Sequence, residues 1–314
     1  MGKILTVGEA MGLFVANEEG NLENVNEYTR YTAGAEMNVA IGTARLGLET
    51  CYVTQFGCDP IGRYIKSTIE NENINSQYIT FTEDYMTGMQ FKEKVSEGDP
   101  QVVSFRKNSA ATKITQENVK DINFEEFSHI HLSGIFLALS ENTEKVSHYF
   151  AEEGKKNGAL VTFDPNLRPK LWKSEEVMIE TINKLAAKAD IVLPGISEGK
   201  ILTGYSKEEE IAEFYLNLGA KAVVVKLGEA GAYIKGKEQE GAYVEGYRVE
   251  EIIDTVGAGD GFAVGVITAL AEGLTLEEAA KRGNAVGAIQ LMSPSDNEGL
   301  PTKEQLEDFM CVKN

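Results

Sequence analysis

Residues 254 to 265 read Asp-Thr-Val-Gly-Ala-Gly-Asp-Gly-Phe-Ala-Val-Gly. A β-like stretch, Tyr247 to Ile253, lies ahead of this run, and an apolar-periodic one, Phe262 to Glu272, lies behind it. The glycines therefore fall where a strand is expected to turn into a helix N-terminus. Gly257 and Gly259 permit a tight turn and a close approach of backbone to ligand. The free N–H groups of a helix's first turn carry partial positive charge and favour an anion. Asp260 stands inside that nest. A fixed carboxylate there weakens simple phosphate storage but suits catalysis, because it can take the proton from a hydroxyl that attacks a bound phosphoryl group. The stretch predicts phosphoryl transfer to an alcohol. Asp260 is the expected base, and the N–H groups of Gly257, Ala258 and Gly259 are expected to face the transferred phosphoryl oxygens. A purely structural Gly-rich turn leaves Asp254, Thr255 and Asp260 unexplained. No Gly-Lys-Ser/Thr follows, so this is not a Walker loop. The late position and the acid at the helix start also exclude a dinucleotide fingerprint.

Working outward, short apolar runs alternate with helical patterns from about residue 110 onward. The runs are His129 to Ser133, Leu160 to Asp164, Ile191 to Leu193 and Ala222 to Lys226, with an amphipathic helix expected over Ser174 to Ala189. Strands spaced by helices predict an α/β fold with a mostly parallel central sheet covered on both faces. Ligands of such sheets bind beyond the strand C-terminal ends. Residues 12–32 and 86–108 break the rhythm and alternate like strands. Met86 to Lys94 and Gln101 to Lys107 are expected to pair across Ser96-Glu97-Gly98-Asp99-Pro100. They read as a small β lid inserted into a core formed by residues 1–11, 33–85 and 109–314, and such a lid excludes water from a bound substrate.

Three further constellations carry chemistry. Asp164-Pro165-Asn166-Leu167-Arg168-Pro169 follows a buried strand and packs an acid, an amide and a guanidinium between prolines. Arg106 brings a second cation to the end of the lid, in a chain with seven arginines. A neutral hexose has no use for a guanidinium, whereas a sugar acid does, because arginine pairs carboxylates bidentately. A lid-surface salt bridge is the alternative for Arg106. Glu198 follows Leu193-Pro194-Gly195, where it either serves a phosphate site or simply starts a helix, a position that favours an acid.

The Asp254–Gly265 run resembles the second signature of the ribokinase-like sugar kinase family. Ala33-Gly34-Ala35-Glu36-Met37-Asn38-Val39-Ala40-Ile41-Gly42-Thr43-Ala44-Arg45-Leu46-Gly47 resembles the first. Both stand in the family's order and the similarity runs the length of the chain. The resemblance implies a three-layer ribokinase-like core, ATP and Mg2+, and sugar contacts from Gly34, Ala35, Asn38, Arg106, Asp164, Asn166, Arg168 and Asp260. Arg168 is implied to reach both sugar and transferring phosphate. Glu198 matches an element that organises Mg2+ and phosphates, although Gly195 stands where the family has asparagine. Lys226, Gly228, Gly231, Thr255, Gly257 and Gly259 are implied on the nucleotide side, and Asn284 and Gly287 near the adenine. A monovalent-cation requirement stays open. Within the family, the segments around Gly34, Arg106 and Asp164 are closest to 2-keto-3-deoxygluconate kinases, without the tyrosine that those enzymes often carry near Ser104 or Phe105. Fructokinases share the Asp164–Trp172 pattern and are the alternative; a ribokinase or nucleoside kinase fits less well. A non-catalytic sugar-binding regulator would gain nothing from Asp260. The family often dimerises through the lid, so a homo-oligomer is expected.

Bulk properties set the frame. The chain has 314 residues and a formal net charge of −19, which argues against nucleic acid and anionic membranes. No apolar run approaches the roughly 18 residues of a membrane span. The start reads as a core strand rather than a signal peptide. Cys51, Cys58 and Cys311 lack metal spacing and suit thiols in a reducing cytoplasm. His129, His131 and His148 carry no metal spacing either, so neither histidine catalysis nor structural zinc is expected.

Overall fold

The computed structural model describes residues 2–95, 100–293 and 295–312. In chain order its first half runs β1 (Lys3–Val7), β2 (Met11–Glu19), β3 (Tyr28–Ala33), α1 (Ala35–Arg45), β4 (Thr50–Gly57), α2 (Pro60–Asn71), β5 (Ile79–Thr82), β6 (Met89–Lys94) and β7 (Val102–Phe105). Next come α3 (Gln116–Val119), β8 (Phe127–Ser133), α4 (Gly134–Leu137), α5 (Glu141–Lys156), β9 (Leu160–Asp164), α6 (Glu175–Ala186), β10 (Ile191–Val192) and α7 (Ile196–Thr203). The chain continues through α8 (Glu208–Leu218), β11 (Ala222–Lys226), β12 (Ala232–Gly236), β13 (Gln239–Val244), α9 (Ala258–Ala271), α10 (Leu276–Gln290) and α11 (Lys303–Val312).

Nine strands form one sheet in the order β13-β12-β11-β10-β9-β8-β1-β4-β5. Pairing is parallel from β11 to β5, and β12 and β13 add an antiparallel edge. Successive strand residues point to opposite faces, and the two cores divide accordingly. Leu5, Val7, Ile130, Leu132, Val223 and Val225 pack under α5, α6 and α8. Ile4, Tyr52, Phe56 and Val224 pack under α1, α2, α9 and α10. The result is a three-layer α/β sandwich of the expected class. Residues 260 to 269 of α9 are all buried, which marks a helix enclosed by its neighbours rather than one lying at the surface.

The segments read as a lid form a separate four-stranded sheet, β3-β2-β6-β7. β6 and β7 pair antiparallel, with Met89 opposite Phe105 and Lys92 opposite Val102. Of the turn expected between them, Ser96 to Asp99 lie outside the described residues. Leu13, Gln90, Lys92 and Ser104 line a cavity between this sheet and the main one. Phe14, Phe91 and Phe105 form an aromatic row on the opposite side, with ring centroids 5.0 and 5.9 Å apart.

One expectation fails. Tyr247 to Ile253 is not a strand. β13 is already the edge of the sheet, and the chain beyond it is taken up by α10 instead. Asn284 Nδ2 donates to the Val244 and Glu245 carbonyls at 3.2 and 3.0 Å, and the Ile253 N–H donates to the Leu291 carbonyl at 2.9 Å. The chain leaving β13 is thus held by α10, and the end of the segment by the C-terminal end of that helix, rather than by a ladder.

Candidate active site

The parallel strands β1, β8, β9, β10 and β11 all end on one edge of the sheet. Beyond their C-terminal ends lie Glu9, Ile135, Asp164, Glu198 and Lys226, which line a cavity of 1230 Å3. Helix α9 starts at the same place. Its N-cap, Gly257, has φ of 80° and supplies no side-chain cap, so the first N–H groups of α9 have no partner from the cap.

Asp260 sits in that first turn, 8% exposed. Two amides hold its carboxylate: Asn38 Nδ2 donates to Oδ2 at 2.8 Å and Asn166 Nδ2 donates to Oδ1 at 3.0 Å. Burial raises its pKa above the usual aspartate value, against the opposing pull of the Asn38 hydrogen bond and the charges of Arg168 and Lys226. A carboxylate more basic than a free aspartate is the better acceptor for a hydroxyl proton.

The β9 loop lies opposite. Lys226 Nζ contacts both oxygens of Asp164, at 2.9 and 2.7 Å. Burial pushes Asp164 up to about 6, and Lys226 opposes that rise. Asp164 also accepts from the Asn166 N–H at 3.1 Å, which shapes a turn in which Asn166 takes a φ of 39° and its amide reaches Asp260. Arg168 is exposed, lines the cavity and donates to its neighbour's carbonyl, Leu167 O, at 3.0 Å. Glu198 accepts from the Leu167 and Gly195 N–H groups, both at 2.7 Å. It fastens the β9 loop to the start of α7, so the helix-start reading of this acid describes its contacts well. Each of its oxygens accepts one backbone N–H.

On the sugar-signature side, Gly34 has φ of 144°, and a Cβ there would lie 2.4 Å from the Glu9 carbonyl. Only glycine fits that approach. Gly34, Ala35 and Asn38 all line the cavity. Arg106 does too, but it is not solitary. Its Nε donates to Glu9 Oε2 at 2.7 Å, and its Nη2 lies 2.6 Å from the same oxygen. The Nη2 contact is an ion-pair distance without hydrogen-bond geometry, so the buried Nη2 has no hydrogen-bond partner. The partner acid is buried and lines the cavity, so the salt bridge weighed as the alternative for Arg106 exists but is an internal one rather than one on the lid surface.

The remaining residues divide. Thr255, Gly257, Gly259, Glu198 and Lys226 line the cavity, whereas Ala258, Gly228, Gly231, Asn284 and Gly287 do not. Asn284 spends its amide on the chain after β13, and Gly287 faces Ala258 of α9, where a Cβ would lie 3.2 Å from the Ala258 carbonyl. The two motif glycines also differ from each other. A Cβ on Gly257 would lie 2.3 Å from the Asp296 carbonyl, while one on Gly259 would meet only Lys226 Nζ, at 3.8 Å. Gly257 is there for the turn, and Gly259 for access.

Sequence reasoning missed Glu9, Lys92, Asp296 and Asn297. Asn297 Nδ2 donates to Asn38 Oδ1 at 3.1 Å and to the Thr32 carbonyl at 3.2 Å. Lys92 forms an ion pair with Asp254. Lys92 had one readable signal, a charged residue on the inward phase of an alternating strand. The polar run around 295–297 had none.

A carbohydrate kinase model described as "pfkB family carbohydrate kinase" matches residues 1–303. The chain is 44% identical to a 2-dehydro-3-deoxygluconokinase of Bacillus subtilis (strain 168), covering 98% of this chain and 95% of that one. A crystal structure of a PfkB protein from Polaromonas sp. JS666 superposes with a TM-score of 0.90 at 43% identity, covering 98% and 99% of the two chains. The fold also matches a putative ribokinase II from E. coli in complex with ATP and Mg2+, with a TM-score of 0.90 at 24% identity over 99% and 100% of the chains. The buried carboxylate at an uncapped helix N-terminus thus sits in a fold and a sequence that agree along the whole length, and the chain belongs to the pfkB family of carbohydrate kinases.

Proposed function

We propose that the protein is an ATP-dependent, Mg2+-requiring kinase that phosphorylates the terminal hydroxyl of 2-keto-3-deoxygluconate, with Asp260 as the general base. The observation that carries this is the Asp260 carboxylate, buried at the N-terminus of α9 and held by Asn38 and Asn166.

The chemistry follows from that placement. The sugar hydroxyl lies against Asp260 and gives it a proton as its oxygen attacks the γ-phosphorus. Negative charge on the phosphoryl oxygens meets the uncapped N–H groups of Gly257, Ala258 and Gly259. Removing one such donor typically costs about 3–4 kcal/mol of barrier. Arg168 and Lys226 add positive charge at the same place. The cavity suits a triphosphate, because Gly259 opens onto it and lysine and arginine side chains rim it. Magnesium would neutralise phosphate charge and would be held chiefly by the phosphates themselves, with Glu198 contributing through water.

The substrate assignment rests on Arg106 and on the curated relative. Glu9 holds the Nε and Nη2 side of the guanidinium, and because Arg106 lines the cavity the rest of the group is placed for the carboxylate of a sugar acid. Gly34 and Asn38 would orient the sugar chain beside it. The aromatic row on the outer face of the small sheet, with Phe105 60% exposed, is the surface through which two copies would pair. The free cysteines Cys51, Cys58 and Cys311 suit a reducing cytoplasm. Among the described residues no helix is long and apolar enough to cross a membrane.

Coupled ADP release measured with 2-keto-3-deoxygluconate, fructose, ribose and adenosine tests the assignment. The sugar acid is expected to give the highest kcat/KM. A preference for fructose would replace the reading with a fructokinase.

A further inference from the structure

Lys92 lies on β6 of the small sheet, yet its partners belong to the main body. It is 6% exposed, and its Nζ forms an ion pair with Asp254, the first residue of the anion-nest run. Asp254 Oδ1 in turn accepts from the Val256 N–H at 3.1 Å, which shapes the turn into Gly257. Asp296 stands on the other side of the turn, with its carbonyl packed against Gly257. Burial pushes Asp296 up to about 7, and the positive charge of Lys92 opposes that rise most strongly. Three carboxylates, Asp254, Asp260 and Asp296, therefore crowd the N-terminus of α9. Arg168 and Lys226 act on Asp260. Lys92 is the ion-pair partner of Asp254, and it arrives from the other sheet.

The balance matters for the ligand. A helix N-terminus attracts an anion with about half an elementary charge. One uncompensated carboxylate beside it cancels that attraction. We propose that Lys92 is a positioning residue that couples the small sheet to the phosphate nest: its ammonium neutralises Asp254, so the nest accepts a polyanionic donor only while the sheet is seated against it. Gln90 and Ser104 of the same sheet line the cavity, so a sugar that seats the sheet also delivers the lysine. Sugar and donor then strengthen each other's binding, and by linkage the effect is reciprocal.

This inference rests on ATP being the phosphoryl donor. ATP binding by the unaltered protein is therefore measured first, and failure to bind it would sink that assignment rather than the role of Lys92. The test then compares Lys92→Met, Lys92→Arg, Asp254→Asn and the Lys92→Met/Asp254→Asn pair. Readouts are ATP affinity with and without saturating sugar, KM for each substrate, and Tm. Lys92→Met is expected to weaken ATP by about tenfold or more, as removal of one member of a desolvated ion pair does, and to abolish the tightening of ATP by sugar. Lys92→Arg keeps the charge and stays within a few-fold of the unaltered protein. The double variant restores charge balance and binds ATP better than Lys92→Met alone; a merely structural pair would show its non-additivity in Tm and not in ATP affinity. If Lys92→Met does not fold, Lys92→Arg and Asp254→Asn carry the test, since Asp254→Asn leaves an unpaired ammonium at the nest and is expected not to weaken ATP. Unchanged ATP affinity in Lys92→Met, additive losses in the pair, Lys92→Arg as weak as Lys92→Met, or a loss confined to the sugar KM would each overturn the proposal.

Discussion

Asn38 Nδ2 donates to Asp260 Oδ2 at 2.8 Å across 222 residues of sequence. The bond ties the start of α1 to the start of α9, and so the Ala33–Gly47 run to the Asp254–Gly265 run. Asn38 can point its amide nitrogen at Asp260 because Asn297 donates to its oxygen. A flipped Asn38 would set two NH2 groups against each other.

Asp260→Asn removes the base while keeping the shape. The turnover rate is expected to fall by roughly 10²–10⁴, with fold and ATP binding retained. In the unaltered protein, the acid limb of kcat/KM should lie above the ordinary aspartate range, because burial raises the Asp260 pKa. Steady-state rates over pH check both, and near-normal turnover in the variant would rule Asp260 out as base.

The motif glycines are expected to fail in different ways. Gly257→Ala forces a side chain into a left-handed conformation against the Asp296 carbonyl, a strain on the order of 1–3 kcal/mol that should show as a lower Tm. Gly259→Val meets no close backbone and should leave Tm nearly unchanged while turnover collapses. Thermal melts and rates on both variants decide it; the reverse pattern would mean that the nest is oriented differently.

Arg106→Ala should lower the preference for a sugar acid over fructose at least about tenfold, since a hydrogen bond to a charged group contributes about 1.5–3 kcal/mol. It also strands the buried Glu9 carboxylate, so Tm should drop as well. Adding Glu9→Gln should recover Tm but not the preference. If the preference survives Arg106→Ala, the carboxylate is held elsewhere, with Arg168 the next residue to change.

Burial pushes Glu36 up to about 8 and Asp296 up to about 7. In the unfolded chain both titrate near about 4. Between those values the native state holds protons that the unfolded state has lost, so stability falls as pH rises through the native pKa values. Tm is expected to be higher at about pH 6 than at about pH 8.5, with Glu36→Gln and Asp296→Asn each flattening the slope. Differential scanning calorimetry at the two pH values is the check, and a Tm that rises with pH would contradict it.

Much of this was legible in the sequence, for a physical reason. Strands β8, β9 and β11 and helix α6 announce themselves because the period of a strand or helix is a property of adjacent residues. The Asp254–Gly265 run was readable because an uncapped helix start, a glycine turn and an acid at its mouth all lie within one local stretch. Asp164 and Asn166 were readable because they follow a buried strand on the edge where ligands of parallel sheets sit.

Contacts between distant segments were not legible. Tyr247 to Ile253 looks like a strand by local pattern, and only the presence of α10 beside it decided otherwise. Arg106 read as a cation at the end of the lid, and its pairing with Glu9 was not visible. Lys92, Asp296 and Asn297 drew no attention because their partners lie far away in sequence, at Asp254, Gly257 and Asn38. By itself the sequence determined the α/β layering, the glycine turn into a helix start and the carboxylate in its first turn, since each follows from backbone geometry over a dozen residues. Only the tertiary structure decided which charges neutralise that carboxylate's neighbours and which amide holds it in place, because hydrogen bonds and ion pairs depend on distance in space and no periodicity encodes them.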